Sequence, residues 1–214
     1  MGYLEAGMRW ILEFLYSGTH NYGVAVILLT VAIRFLLWPL MTPQFRSALA
    51  MREIQPKLKA IQEKYGDNQE ELQKRTMQVY KEHGVNPFAG CLPLLVQLPF
   101  MWALWRMLAS YPFSGGFLWL SSLTHADPYY ILPILSGVTT WLQSWLGGAA
   151  SDPTSKSMTV VMPLVLTWIT TTLPAGVSIY WVTSNLFGIG QQWAVTRSFL
   201  KRRRAGQEGG RARA

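Results

Sequence analysis

VILLTVAIRFLLWPL, residues 26–40, is the stretch whose reading decides the fold. Apart from Thr30, Arg34 and one proline it is a continuous apolar run. Extended to residues 22–41, it matches the roughly 20 residues a helix needs to cross a bilayer. A charge at the bilayer centre costs about 2.5–3.5 kcal/mol on insertion scales, so Arg34 needs an explanation. Thr30 lies one helical turn before it on the same face. Trp38 follows four residues later, about 6 Å along the axis at 1.5 Å per residue. An isolated arginine at that depth reaches the headgroups by snorkelling. A wet cavity inside a helix bundle is the alternative, and the residues alone leave both readings open.

The whole chain fits a membrane protein. Its 214 residues are 50% hydrophobic and 14% charged, with 10 Trp. A soluble domain carries about 25% charged residues. Four further apolar runs, 88–109, 128–147, 158–173 and 176–195, complete five candidate spans. Pro133 and Pro163 stand near span starts, where a missing N–H costs least. LPAG, residues 173–176, is a turn signal, so the last two spans read as a tight helical hairpin.

The net charge of +8 is unevenly spread. Arg46, Arg52, Lys57, Lys59, Lys64, Lys74, Arg75 and Lys81 fall between the first two spans, and Arg197, Lys201, Arg202, Arg203, Arg204, Arg211 and Arg213 follow the fifth. The loop 110–127 and LPAG carry no lysine or arginine. The positive-inside rule therefore puts 43–85 and the tail 197–214 in the cytoplasm and the N-terminus outside, the orientation an odd number of spans requires.

Outside the spans, residues 3–16 carry Leu4, Met8, Ile11, Leu12 and Leu15 at helical spacing. They predict an amphipathic helix lying on the outer surface, within an extracytoplasmic segment 1–20; a frayed chain end is the plainer reading. Glu5 and Glu13 interrupt any signal-peptide core, and no small-residue cleavage site follows. In the insert 43–85, Phe45, Leu49, Ile54, Leu58, Ile61 and Tyr65 form a helical stripe. Pro56 predicts a kink or a fresh start there. YGDN, 65–68, predicts a turn whose Asp67 or Asn68 caps a second helix running to about His83. A two-helix cytoplasmic hairpin results, either an interaction arm or a solvated spacer.

Gln97, Thr139, Thr140, Gln143, Thr167, Ser184, Asn185, Gln191 and Gln192 fall within spans. Such residues are packing glue or line a polar cavity. His20, His83 and His125 lie in loops or at span edges, away from metal-ligand spacing, and the lone Cys91 excludes an internal disulfide. Neither a phosphate loop nor a serine-hydrolase motif occurs, and the spans hold essentially no carboxylates. The chain reads as a non-enzyme without cofactor or metal.

In order and spacing, NYGVAVILLTVAIRFLLWPL (21–40), MREIQPKLKAIQEKYGD (51–67), VNPFAGCLPLLVQLPF (85–100), DPYYILPIL (127–135) and LPAGVSIYWVTSNLFGIGQQ (173–192) resemble the YidC/Oxa/Alb membrane-protein insertase family. The resemblance implies an all-α integral membrane protein: a five-span core, 21–42 and 86–196, around a hydrophilic groove closed towards the outside. It matches the family's groove arginine to Arg34 and its neighbouring threonine to Thr30. Gln143, Thr167, Tyr180 and Trp181 match further groove positions, and Leu98, Phe100 and Met101 fall in the substrate-contact region. TTT at 170–172 departs from the more aromatic pattern of relatives and bears on the packing of the fourth span. The large extracytoplasmic domain and first span of Gram-negative members are not matched, which implies the short Gram-positive-type form or a trimmed core.

The implied function is insertion of nascent single- or double-span proteins with short extracellular tails into the bacterial cytoplasmic membrane, without nucleotide hydrolysis. Implied partners are those nascent proteins, the ribosome, a targeting receptor, the Sec translocon and anionic lipid, with a monomer as the working unit. Lys201, Arg202, Arg203 and Arg204 suit ribosomal RNA or anionic lipid by phosphate neutralisation, or simply enforce topology. A channel or transporter subunit, or a structural partner of another translocon, is the alternative; the absence of inverted repeats and buried acids weighs against a transporter.

Overall fold

The structure, a computed structural model, describes residues 2–84, 92–111, 113, 115–147 and 153–211. Among them the fold is all-helical: α1 Gly2–Thr19, α2 Tyr22–Leu36, α3 Trp38–Tyr65, α4 Gln69–Glu82, α5 Leu92–Ser110, α6 Ile131–Gly147, α7 Pro153–Thr170 and α8 Ala175–Arg211. A single antiparallel bridge, Phe117 to Leu120, interrupts the helical pattern.

α1 turns into α2 through His20, at φ +52°, and Asn21. Asn21 is extended, and its side-chain oxygen accepts from the N–H groups of Gly23 (2.9 Å) and Val24 (3.2 Å). These are donors that the start of a helix otherwise leaves unpaired. Asn21→Ala is expected to lower stability by about 1 kcal/mol, read as a fall in the thermal midpoint of the purified protein.

The first apolar run is not one straight helix. α2 ends at Leu36, α3 starts at Trp38, and the two are bent by 66°. Pro39 is the cause: inside a continuous helix it would lack the N–H for the Phe35 carbonyl and crowd that turn. At the start of α3 the missing donor costs nothing. Among the described residues no single helix is long and apolar enough to cross a membrane; this bent pair, taken together, has the length and composition for it.

Beyond the bend, α3 runs unbroken through Pro43 and Pro56, so the fresh start expected at Pro56 does not occur. The Asn68 side chain accepts from the Glu71 N–H at 3.1 Å and caps α4, as its sequence predicts. The α3–α4 hairpin closes on Ile54 and Val79, with Met51, Leu58, Ile61 and Tyr80 packed around them.

A second correction concerns α7 and α8. They are joined by the expected short turn, yet α6 packs against both of them and they have little contact with each other. α6 presents Gly137 towards Thr167 of α7, and Thr139, Thr140 and Gln143 towards α8. Small and hydroxylated side chains allow this close approach on both sides.

Among the described residues the main apolar cluster lies at one end of the bundle. Met8 and Leu12 of α1, Ala25, Val26 and Leu29 of α2, Leu104, Met107 and Leu108 of α5, and Val177, Ile179 and Tyr180 of α8 bury one another there. The helix expected over 3–16 is therefore a packed part of the bundle, with Trp10 and Phe14 exposed and stacked on its other side. The α5–α6 connection covers this α1 end. Buried Asp127 accepts from the Trp119 indole N–H (3.0 Å) and the Tyr129 (3.0 Å) and Leu132 (2.7 Å) backbone N–H groups. Tyr111 is buried against Tyr22 and Glu13, and burial, then the Tyr22 hydrogen bond, raises its phenol pKa above the ordinary tyrosine value.

Candidate functional site

Towards the hairpin end the bundle changes character. α8 brings buried Ser184, Asn185, Gln191 and Gln192 below Tyr180. The Asn185 amide is oriented by its neighbours: its nitrogen donates to Gln143 Oε1 at 2.9 Å. Its oxygen accepts from the Thr140 hydroxyl (2.8 Å) and the Trp181 indole N–H (3.3 Å). Trp181 Nε1 also reaches Thr140 Oγ1 at 3.1 Å. Gly188 makes room for this network, because a Cβ there would stand 2.5 Å from Gln143 Nε2. Gln191 Nε2 donates to the Trp38 carbonyl at 3.1 Å, tying α8 to the α2–α3 bend.

Arg34 sits in the last turn of α2, half-buried, and forms no salt bridge among the described residues. The rings of Phe35 and Trp38 meet Phe187 at 5.0 and 5.7 Å, which sets the level of this part of α2 against α8. Tyr180 lies seven residues before Phe187 in α8, about 10 Å nearer the α1 end at 1.5 Å per residue.

Thr30 is buried one turn away and donates to its own helix at Val26 O, 2.7 Å. Thr167 donates to Pro163 O at 2.8 Å and faces Gly137, on a different side of α6 from Gln143. Leu98 is exposed and Met101 half-buried on α5, and the Phe100 side chain lies outside the described residues. Lys201 is exposed on α8, and the side chains of Arg202, Arg203 and Arg204 also lie outside them.

The geometry therefore joins Gln143 and Trp181 through Asn185 and Thr140, and keeps Thr167 apart. Asn185 and Thr140, the junction of the network, are among the span residues that read as packing glue or cavity lining but not among the groove positions the resemblance implies; the signal that joins them to those is spacing, since Asn185 falls one turn after Trp181 and Thr140 three residues before Gln143. Among the described residues three buried oxygens, Ser136 Oγ, Ser184 Oγ and Gln191 Oε1, have no hydrogen-bond partner. Buried polar atoms of this kind call for water. No group of His, Cys, Asp or Glu among the described residues can hold a metal ion.

Comparison with known proteins places this arrangement. The family model described as 60Kd inner membrane protein matches residues 14–202. The "Membrane protein insertase YidC" of Caldanaerobacter subterraneus subsp. tengcongensis is 48% identical over 189 residues, covering 87% of this chain and 91% of that protein. The protein of the same name from Methylobacillus flagellatus is 40% identical over 207 residues, covering 95% of this chain but 37% of the relative. A crystal structure of an active YidC insertase with its first transmembrane domain resolved aligns with a TM-score of 0.71 at 30% identity, over 90% of this chain and 45% of that one. The chain thus spans nearly all of the first relative and less than half of the other two.

Proposed function

Since this chain belongs to the YidC family of membrane-protein insertases, a family of inner-membrane proteins that insert proteins rather than catalyse a reaction, we propose that it guides nascent proteins with one or two spans and short extracellular tails into the bilayer through a half-channel that opens at its hairpin end. One observation carries this reading. Among the described residues the main apolar cluster lies at the α1 end, while the other half of α2, α6 and α8 holds Arg34, Gln143, Asn185 and Gln191 beside the buried oxygens of Ser184 and Gln191, which call for water.

In this reading the bent α2–α3 pair, α5, α6, α7 and α8 are five spans. The cationic hairpin and tail lie in the cytoplasm, and α1 lies at the outer surface with Trp10 and Phe14 towards lipid. A wet groove reaching partway across shortens the hydrocarbon path of a polar tail. Arg34 attracts its carboxylates, a transient gain because a tail held too tightly would never leave. Against snorkelling to the cytoplasmic headgroups stand the half-buried position of Arg34 and the lean of helical side chains towards their N-terminus, which for α2 is the α1 end. The substrate's apolar segment slides past Leu98, Phe100 and Met101 into lipid, gaining about 25 cal/mol per Å² of apolar surface removed from water. That transfer and the membrane potential on acidic tails supply the work, with no nucleotide. Lys201 and Arg202, Arg203 and Arg204 assist by holding ribosomal RNA, a contact that weakens steeply with salt.

The test combines activity with access. In liposomes holding only this chain, a newly translated short-tailed single-span protein is expected to insert above the empty-liposome level. In a Cys91→Ser background, Gln143→Cys is expected to react with a membrane-impermeant maleimide from the hairpin side alone. Labelling from both sides would favour the transporter reading, and insertion no better than in empty liposomes would remove the insertase reading.

A further inference from the structure

α6 ends at Gly147 in a contact that its own sequence does not supply. The last carbonyls of a helix have no partner within it. Here Arg52 of α3 reaches them: its Nη2 donates to Trp145 O at 3.1 Å and to Leu146 O at 2.5 Å. The guanidinium has no salt bridge among the described residues. It places a full charge at the negative end of the α6 dipole, where a cation is favoured.

The position of this contact gives it leverage. Up to Arg52, α3 runs beside the bundle, with the residues of its first turns, Trp38 and Thr42, near α8. Past it, α3 packs on α4 through Ile54, Leu58, Ile61 and Val79, and α4 packs essentially on α3. The hairpin is therefore held together by its own small core, and its direction relative to the bundle is set near Arg52. On α6, Trp145 lies two residues after Gln143, the partner of Asn185. The same short stretch of α6 thus meets the hairpin through its carbonyls and the polar half of the bundle through its side chains.

We propose that Arg52 is a positioning residue, a latch that fixes the α3–α4 hairpin to the C-terminal end of α6 and so sets where the hairpin stands over the groove. Arg52 bonded to both carbonyls holds the hairpin in one orientation; Arg52 released leaves it free to swing on the first turns of α3. Burial lowers the pKa of Arg52 below the ordinary arginine value, yet the group stays charged at neutral pH. The latch is therefore insensitive to physiological pH and responds to competition for the guanidinium, as by a phosphate or carboxylate. The orientation effect stands on this geometry alone; its consequence for insertion rests on the function proposed above.

The experiment measures the hairpin directly. In full-length protein in liposomes, with Cys91→Ser, spin labels go on Gln73→Cys of α4 and Ser198→Cys of α8, both exposed positions. With Arg52 intact, pulsed electron resonance should give one narrow distance peak. Arg52→Ala should lower the ratio of docked to undocked hairpin about tenfold or more, the loss expected for two charge-assisted hydrogen bonds, and broaden the distribution. Arg52→Lys, which keeps a donor cation without the planar fork, should retain the peak at a reduced share. If Arg52→Ala unfolds the protein, Arg52→Gln replaces it and the same broadening is expected. A distribution unchanged in the folded neutral variant overturns the latch. Insertion measured on the same samples separates the two ideas: broadening without any insertion by the intact chain upholds the latch and rejects the insertase reading.

Discussion

Arg34→Ala is expected to lower insertion of an acidic-tailed single-span protein about tenfold or more in liposomes that contain only this chain, and Arg34→Lys to retain most of it. Two unit charges 4 Å apart gain about 4 kcal/mol at an effective dielectric of 20, against about 1 kcal/mol in bulk water. A half-buried guanidinium without a carboxylate partner among the described residues lies between those limits. About 1.4 kcal/mol of that interaction already corresponds to a tenfold change in rate. The comparison that identifies the charge as the agent is the tail. With the acidic residues replaced by serine or glutamine, Arg34→Ala should matter far less. An equal loss for acidic and neutral tails would make Arg34 a structural residue at the α2–α8 contact. Insertion indifferent to the substitution for both tails would make it a snorkelling residue.

Much of this arrangement was legible in the residues, for identifiable reasons. Apolar runs report helices because their length and composition are local properties, and the helices α2, α5, α6, α7 and α8 fall on the five runs. The Asn68 cap and the turn at 173–176 were equally local: one polar side chain at a helix start, and one Leu-Pro-Ala-Gly sequence. Features that depend on which helix lies beside which were not legible. Short connection suggested that α7 and α8 pair, but the fine pattern of Gly137, Thr140 and Gln143 decides that α6 sits between them. The bend at Leu37 had a visible cause in Pro39, whose effect was obscured because the apolar composition continues past it. Arg52 read as one of eight loop cations in 42–87; only the fold brings the end of α6, 93 residues away, to its side chain. The family resemblance offered candidate groove positions, and the packing then sorts them. Trp181 and Gln143 join one network, while the Thr167 hydroxyl is occupied within its own helix.

That sorting leads to the largest expected effect on stability. Gly137→Ala should destabilise the protein by about 1–3 kcal/mol, the usual cost of overpacking a filled interior, and Gly137→Leu should unseat α7 altogether. A Cβ at Gly137 would overlap Thr167 Oγ1 and stand 3.3 Å from the Pro163 carbonyl oxygen. The first obstacle is a side chain and the second is backbone, so they respond differently to a second substitution. Thr167→Ala removes the overlapping hydroxyl, and in the Gly137→Ala background it should restore most of the lost stability. A coupling of about 0.5–3 kcal/mol between the two sites is the range for residues in direct contact, measured as thermal or denaturant unfolding of the four proteins in one detergent. Additive effects would mean that α6 and α7 do not meet at this point. The single variant Thr167→Ala then assigns the residue. If its insertion activity matches the intact chain, Thr167 serves the α6–α7 contact, as its bond to Pro163 O and its position against Gly137 suggest. If insertion falls while stability holds, the hydroxyl acts on the substrate path, and α7 lines the groove as well as bracing α6.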